Sequence, residues 1–372
     1  MTHPPLRPII PGYDIVAPAS YDDNFSIWQT IRDCYAGEKR IKSKGEIYLL
    51  RMSAHDTAAY ESYLSRAYFY NAVRRTHVGL MGSLFRKPPE FTLPSNIKIP
   101  LNNVSIEGES AQAFSKKIGH ELLLVGRYGV LVDFENSDPK QAYLAGYQAE
   151  NIYAWRTRMH KDRKIVDRIV LIENETSFTE YGTEVTQIYR ILRLDPDPES
   201  AGELIYSQDI IRPDADGKTS QIQKINFNSR GRILRYIPFV IFNPMDLLPE
   251  VKAPVIGDIA TLNITHYGST AQLEHGRFYA GMPTYVTSGD VSEVIPGLGS
   301  PNPRTVGPSN VWELEKDGKA WLLEFTGHGL TFLENAVDSK QLQMQSLGGR
   351  LISSTRRAAA ACGPGSPRRA RC

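Results

Sequence analysis

Cysteine is scarce. Cys34, Cys362 and Cys372 are the only three in 372 residues, too few and too scattered for a disulfide framework or a thiolate metal site, and they point to a reducing compartment. Long apolar runs are missing as well. Residues 1–20 lack the apolar core of a signal peptide, so nothing routes the chain to export or to a membrane. Neither a G-x-x-x-x-G-K-[ST] loop nor a G-x-G-x-x-G turn between strand and helix occurs, and G-x-S-x-G and H-E-x-x-H are absent too. A nucleotide-, nicotinamide- or zinc-dependent enzyme is therefore not signalled, and no cofactor is expected. Charge of one sign is also thin. The net charge is +2, but Ser354 to Cys372 contributes +5 through Arg356, Arg357, Arg368, Arg369 and Arg371, which leaves about −3 for residues 1–353. A near-neutral, slightly acidic body argues against a protein that grips nucleic acid by neutralising phosphates.

What is present is ordinary soluble-globular composition, 41% hydrophobic and 23% charged, around one long uninterrupted stretch, GDIATLNITHYGSTAQLEHGRFYAGM at residues 257–282. It holds no proline, Asp258 is placed to cap its first turn, and Met282-Pro283 is placed to stop it. The stretch predicts a single helix of about 39 Å at about 1.5 Å per residue. Ile259, Leu262, His266, Ser269, Leu273, Gly276 and Ala280 form one stripe, and Ala260, Ile264, Tyr267, Ala271, Phe278 and Met282 its neighbour. Gly268, Gly276 and Gly281 each cost about 1 kcal/mol relative to alanine, so close approach of another backbone is expected to compensate.

Taken in order, the chain starts extended and proline-rich. Tyr21 to Asn24 supply capping residues for a helix through Tyr35, with Trp28 and Ile31 inward. Residues 53–88 predict one or two amphipathic helices, whose aromatics Tyr60, Tyr63, Tyr68, Phe69 and Tyr70 are expected as core or subunit contact rather than a base-stacking platform. Residues 109–125 predict a helix closed by Gly126. Strands are expected at 128–134, 142–147, 165–173, 185–194, 204–211, 222–227 and 237–242. The basic run Arg156, Arg158, Lys161, Arg163, Lys164, Arg168 beside Trp155 reads as a solvated turn, because Asp162 and Asp167 interrupt it. Residues 283–330 are rich in Gly, Pro and Ser and predict a β module with a hairpin about Lys316-Asp317-Gly318. A second helix follows, with Leu333, Val337, Lys340, Met344, Leu347 and Leu351 on one stripe. The Arg/Ala tail from Ser354 has no face to bury, so disorder is expected there.

Two constellations are candidates for chemistry. Asp133 and Glu135 share one face of a strand end, which suits a paired general acid and base, although strand ends often carry solvated carboxylates. His266, Glu274 and His275 are the only carboxylate and imidazole cluster on a helix. Adjacent residues diverge by about 100°, so polar contacts between packed helices are the expected use rather than a metal.

The ordered segments YLSRAYFYNAVRRTHVGLMGSLFRKPP, ELLLVGRYGVLVDF, AYLAGYQAENIYAWR, IPFVIFNP and LNITHYGSTAQLEHGRFYAGMPTYV resemble the portal proteins of tailed bacteriophages, in a branch known as a domain of unknown function. The resemblance runs over residues 20–352. It implies an α+β, portal-like fold with an α/β wing (1–256), a first stem helix (257–282), a small β-rich clip (283–330) and a second stem helix (331–353). The basic tail (354–372) then stands where a portal continues into a crown, so the chain reads as truncated or frame-shifted there. The implied function is non-enzymatic. About twelve copies would form a closed ring at a capsid vertex, through which double-stranded DNA is packaged and ejected. The implied partners are other copies, the terminase large subunit, capsid and head-tail adaptor proteins and the passing DNA. The implied location is the virion, with assembly in the host cytoplasm. If the stem lines the opening, Asn263, Gln272, Arg277, Lys340 and Gln343 are the lumen candidates. The alternatives are another head-tail adaptor or structural virion protein and, from a different class, a hydrolase using Asp133 and Glu135.

Overall fold

A computed structural model describes residues 16–53, 55–94, 100–134, 142–180, 182–200, 202–213, 220–226, 228–229, 232–281, 284–288, 319–323 and 328–348. The chain is mixed α+β. Helix α1 (Ala19–Ala36) follows Pro18, earlier than the expected cap, so Asp22 falls in its first turn, where the helix dipole favours an acid. Tyr21, Phe25, Trp28 and Ile31 recur at helical spacing and are all buried. After the short α2 (Glu38–Ser43) come α3 (Thr57–Arg66) and α4 (Ala72–Leu84), capped by Asp56 and Asn71, whose side chains accept from the amides of Ala59 and Arg74. Ser110 caps α5 (Ala111–Leu124) in the same way. Gly126, at φ +78° in the left-handed region that favours glycine, ends it.

Strands β1 (Tyr128–Phe134) and β2 (Ala142–Gln148) lead into β3 (Ile152–His160), β4 (Arg163–Thr179), β5 (Gly182–Pro196), β6 (Leu204–Pro213) and β7 (Ser220–Asn226). A minor pair, β8 (Asn228–Ser229) and β9 (Arg232–Ile233), precedes β10 (Phe239–Phe242). The small sheet has the order β10-β1-β2 and the large one runs in sequence order from β3 to β7, with every pair antiparallel. Strand β3 corrects the expected solvated turn at residues 156–168. Only Lys161 and Asp162 make the turn, both with positive φ, as a two-residue hairpin of primed type requires. Arg156 and Arg158 are strand residues that converge on the buried carboxylate of Asp167.

Strands β4 and β5 are longer than their neighbours. The ladder to β3 ends at Ile152–Leu171 and that to β6 starts at Tyr189–Ile211, so residues 172–179 and 182–188 continue as a two-stranded arm.

Helix α6 (Gly257–Ala280) matches the long expected stretch, and the chain continues into β11 (Thr284–Ser288), β12 (Lys319–Leu323) and α7 (His328–Leu347). Asp258 lies inside the first turn of α6 and does not cap it, since the N-cap is Ile256 without a side-chain bond. The expected hairpin about 316–318 lies outside the described residues; β12 instead pairs with β11, from Thr284–Leu323 to Ser288–Lys319. The tail at 354–372 also lies outside them. The main core joins α1, α3, α4 and the first turns of α6 with the inner face of the large sheet, through Trp28, Ile31, Tyr63, Val73, Ala260, Tyr267, Ile191 and Ile211.

Candidate assembly site

The two long helices form an antiparallel hairpin. Arg277 bonds Glu334 at 2.7 Å, Lys340 Nζ donates to Ser269 Oγ at 2.7 Å, and a Cβ on Gly276 would stand 2.7 Å from Leu330 Cδ2. Each step toward the C-terminal end of α6 is thus matched by a step back along α7. The β11–β12 ribbon continues the same register, with Thr284 opposite Leu323. At the other end Met344 is buried, and Gly348 sits so close to Thr76 of α4 that a Cβ would meet its Oγ1 at 2.8 Å.

The hairpin is rooted in the body by α6 from its start as far as Leu273. Ile259, Ala260, Asn263, His266, Tyr267, Thr270, Ala271 and Leu273 are buried. Asn263 is the residue that sequence reasoning placed wrongly. It was a lumen candidate, yet it is fully enclosed: Nδ2 donates to the Tyr70 carbonyl at 2.8 Å and Oδ1 accepts from Ala72 and Val73 amides at 3.1 and 3.4 Å. A buried carboxamide pinned by three backbone groups serves this chain's interior. Its position four residues after Ile259 and four before Tyr267 puts it on the buried stripe, which was the available signal.

The other four candidates lie on the hairpin's surface. Gln272 is exposed, and Gln343 is exposed with Nε2 3.5 Å from Ser339 Oγ. Arg277 holds both Glu274 and Glu334, and those bonds raise its pKa. Lys340 is half-buried and joins the two helices. It also helps to hold the neighbouring His266 imidazole below its ordinary pKa, after the larger effect of burial and against the opposing pull of Asp338.

Higher up, α3 flanks α6. Arg66 lies 4.0 Å over the Phe278 ring, and His275 stacks edge-on with His55, Tyr63 and Tyr279. Among the described residues no group of His, Cys, Asp or Glu is arranged to hold a metal ion. Of the compensating approaches expected at glycine, Gly276 has one, from a Leu330 side chain rather than backbone, while Gly268 has nothing within 4 Å. The outer face of α7 leaves Phe332 74% and Leu342 65% exposed, large apolar groups that the sequence pattern did not single out.

Asp133 does not stand free as an acid or base. It is buried, takes a 3.1 Å bond from Arg190 and accepts from the Tyr143 hydroxyl at 3.3 Å. Arg190 also binds Glu173 and Gln208, so the carboxylate is committed to an internal network; Glu135 lies outside the described residues. Of the expected aromatic core, Tyr60, Tyr63 and Phe69 are buried and Tyr68 is exposed. No helix among the described residues is long and apolar enough to cross a membrane.

The sequence matches a family described as a domain of unknown function (DUF4055) over residues 255–370, a span that takes in α6, the β11–β12 ribbon and α7. No curated protein matches the chain.

Proposed function

We propose that the chain is a portal, or head-tail connector, subunit of a tailed bacteriophage, one of about twelve that close head to tail into a ring. The supporting observation is the antiparallel α6–α7 hairpin, rooted in an α+β body and prolonged by the β11–β12 ribbon at the end where the inserted segment leaves and returns. This is the stem-and-clip order that the family resemblance calls for. Phe332 and Leu342 on α7, both largely exposed, are apolar groups available for contact with a neighbouring copy. Double-stranded DNA would pass along the opening without being held, which suits a body that carries no excess of positive charge. On this reading Gln272, Arg277, Lys340 and Gln343 remain the surface candidates for the lumen. Terminase, capsid and adaptor proteins are the partners, the virion is the location, and the chain carries no chemistry of its own.

Mass photometry and negative-stain microscopy of the purified chain test the proposal. Ring particles with a central opening are expected. A monomer at every concentration overturns it.

A further inference from the structure

Two features at opposite ends of the large sheet have no use within one chain. The first is the β4–β5 arm. An isolated two-stranded ribbon is marginal in water unless a face or an edge is covered. Here residues 174–178, 180 and 182–186 are exposed on both faces, with Phe178 84% and Val185 62% accessible. Residues 172–188 carry no lysine or arginine; Glu173 and Glu175 at the base of the arm are held by Arg190 and Arg212, and Glu180 and Glu184 lie exposed farther along it.

The second is an apolar cleft of about 460 Å³, walled by Ile165, Val166, Ile169, Leu204, Phe239 and Leu247. The strand pair on one side of it, residues 156–168, has an excess of four positive charges, only partly offset by Glu203 and Glu250, which bind Lys161 and Lys164. A cleft of this size, apolar inside and charged at the rim, is proportioned for an aromatic side chain on a charged support. Ile165 and Phe178 lie on the same strand, and at about 3.3 Å per residue about 43 Å separates them. A chain therefore cannot fill its own cleft with its own arm.

We propose that the arm of one copy seats Phe178 in the apolar cleft of the next, with the acidic flanks of the arm against the basic β3–β4 end. Such a contact joins two different patches, so it is heterologous and propagates from copy to copy until rotation closes it. It specifies the self-association proposed above and rests on that reading for the presence of adjoining copies.

The test uses the full chain. Phe178→Ser with Val185→Ser is expected to raise the concentration for half-assembly by about tenfold or more, as loss of a central aromatic anchor does. The thermal midpoint of the dissociated chain, measured at low concentration, should change little, because both side chains are largely in water. Glu180→Lys with Glu184→Lys should weaken assembly similarly, and Arg163→Glu with Lys164→Glu should restore part of it. Separately, chains carrying Phe178→Cys are mixed with chains carrying Leu247→Cys, both in a Cys362→Ser, Cys372→Ser background, and oxidised. A covalent dimer in the mixture that exceeds either chain alone supports the contact, whether or not the wild type closes into rings. Rings unaffected by the arm substitutions, or no excess dimer, overturn the contact and leave the ring proposal standing on its own test.

Discussion

Asn263 and Tyr70 are joined by a 2.8 Å hydrogen bond from the carboxamide of α6 to the carbonyl just ahead of α4. The same side chain accepts from the Ala72 and Val73 amides, so one residue ties the long helix to the chain entering its neighbour. Asn263→Leu keeps the volume but strands buried backbone groups, and should destabilise the fold by about 2–3 kcal/mol. Urea unfolding measures this; a loss under about 1 kcal/mol would show that the backbone finds other partners.

The glycines of α6 should separate. Nothing lies within 4 Å of a Cβ on Gly268, so Gly268→Ala gains helix propensity and should stabilise the isolated chain by about 0.5–1 kcal/mol. At Gly276 the added methyl pushes Leu330 off its position, which offsets a similar gain, and Gly276→Ala should be close to neutral. Equal thermal shifts in the two variants would contradict this.

Acidification should weaken the fold through its histidines before the lowered carboxylates Glu175 and Glu203 titrate. His77 and His120 stack with centroids 4.5 Å apart, and burial holds both imidazoles below the ordinary 6.5. His266 and His275 are lowered too, in each case first by burial. The unfolded chain then binds more protons than the folded one just below pH 6.5, so stability present above that value falls as pH drops through it. Each such group contributes at most about 1.4 kcal/mol per pH unit. Glu175 and Glu203, lowered first by their bonds to Arg212 and Lys161, lose their contribution only below about pH 4.5. Thermal midpoints between pH 7 and 5.5 should therefore decline, and His77→Gln should flatten the slope. An unchanged slope would remove His77 from the account.

Arg127 should be better replaced. Its guanidinium lies 4.2 Å over the Trp155 ring, buried, with no hydrogen-bond partner for any of its nitrogens among the described residues, and burial pushes its pKa down to about 9. Arg127→Met keeps the packing and removes a costly charge, so it should stabilise by about 1–3 kcal/mol. A destabilised variant would mean that attraction to Glu250 outweighs desolvation.

Much of the frame was legible in the sequence. Helix α6 has no proline and two apolar stripes, and the apolar run Tyr128–Leu131 that opens β1 buries as expected, although Val132 is exposed. What escaped was local chemistry that mimics something else. In β3, arginines alternate with Thr157 and Met159, and a Lys-Asp turn replaces the usual Asn-Gly, so the strand reads as a charged loop. Asn263 was misplaced because polarity suggested water, whereas helical spacing put it with Ile259 and Tyr267. The pairing of β11 with β12 joins residues more than thirty apart, and no short-range pattern encodes it.

The continuity of register from the α6–α7 pair into the β11–β12 ribbon has one further consequence. Residues 289–318 depart from and rejoin the hairpin at a single paired position, Ser288 opposite Lys319. A segment placed between Ser288 and Lys319 has to meet only that one spacing, so an experimenter can graft a foreign domain there without re-engineering the helices or the ribbon.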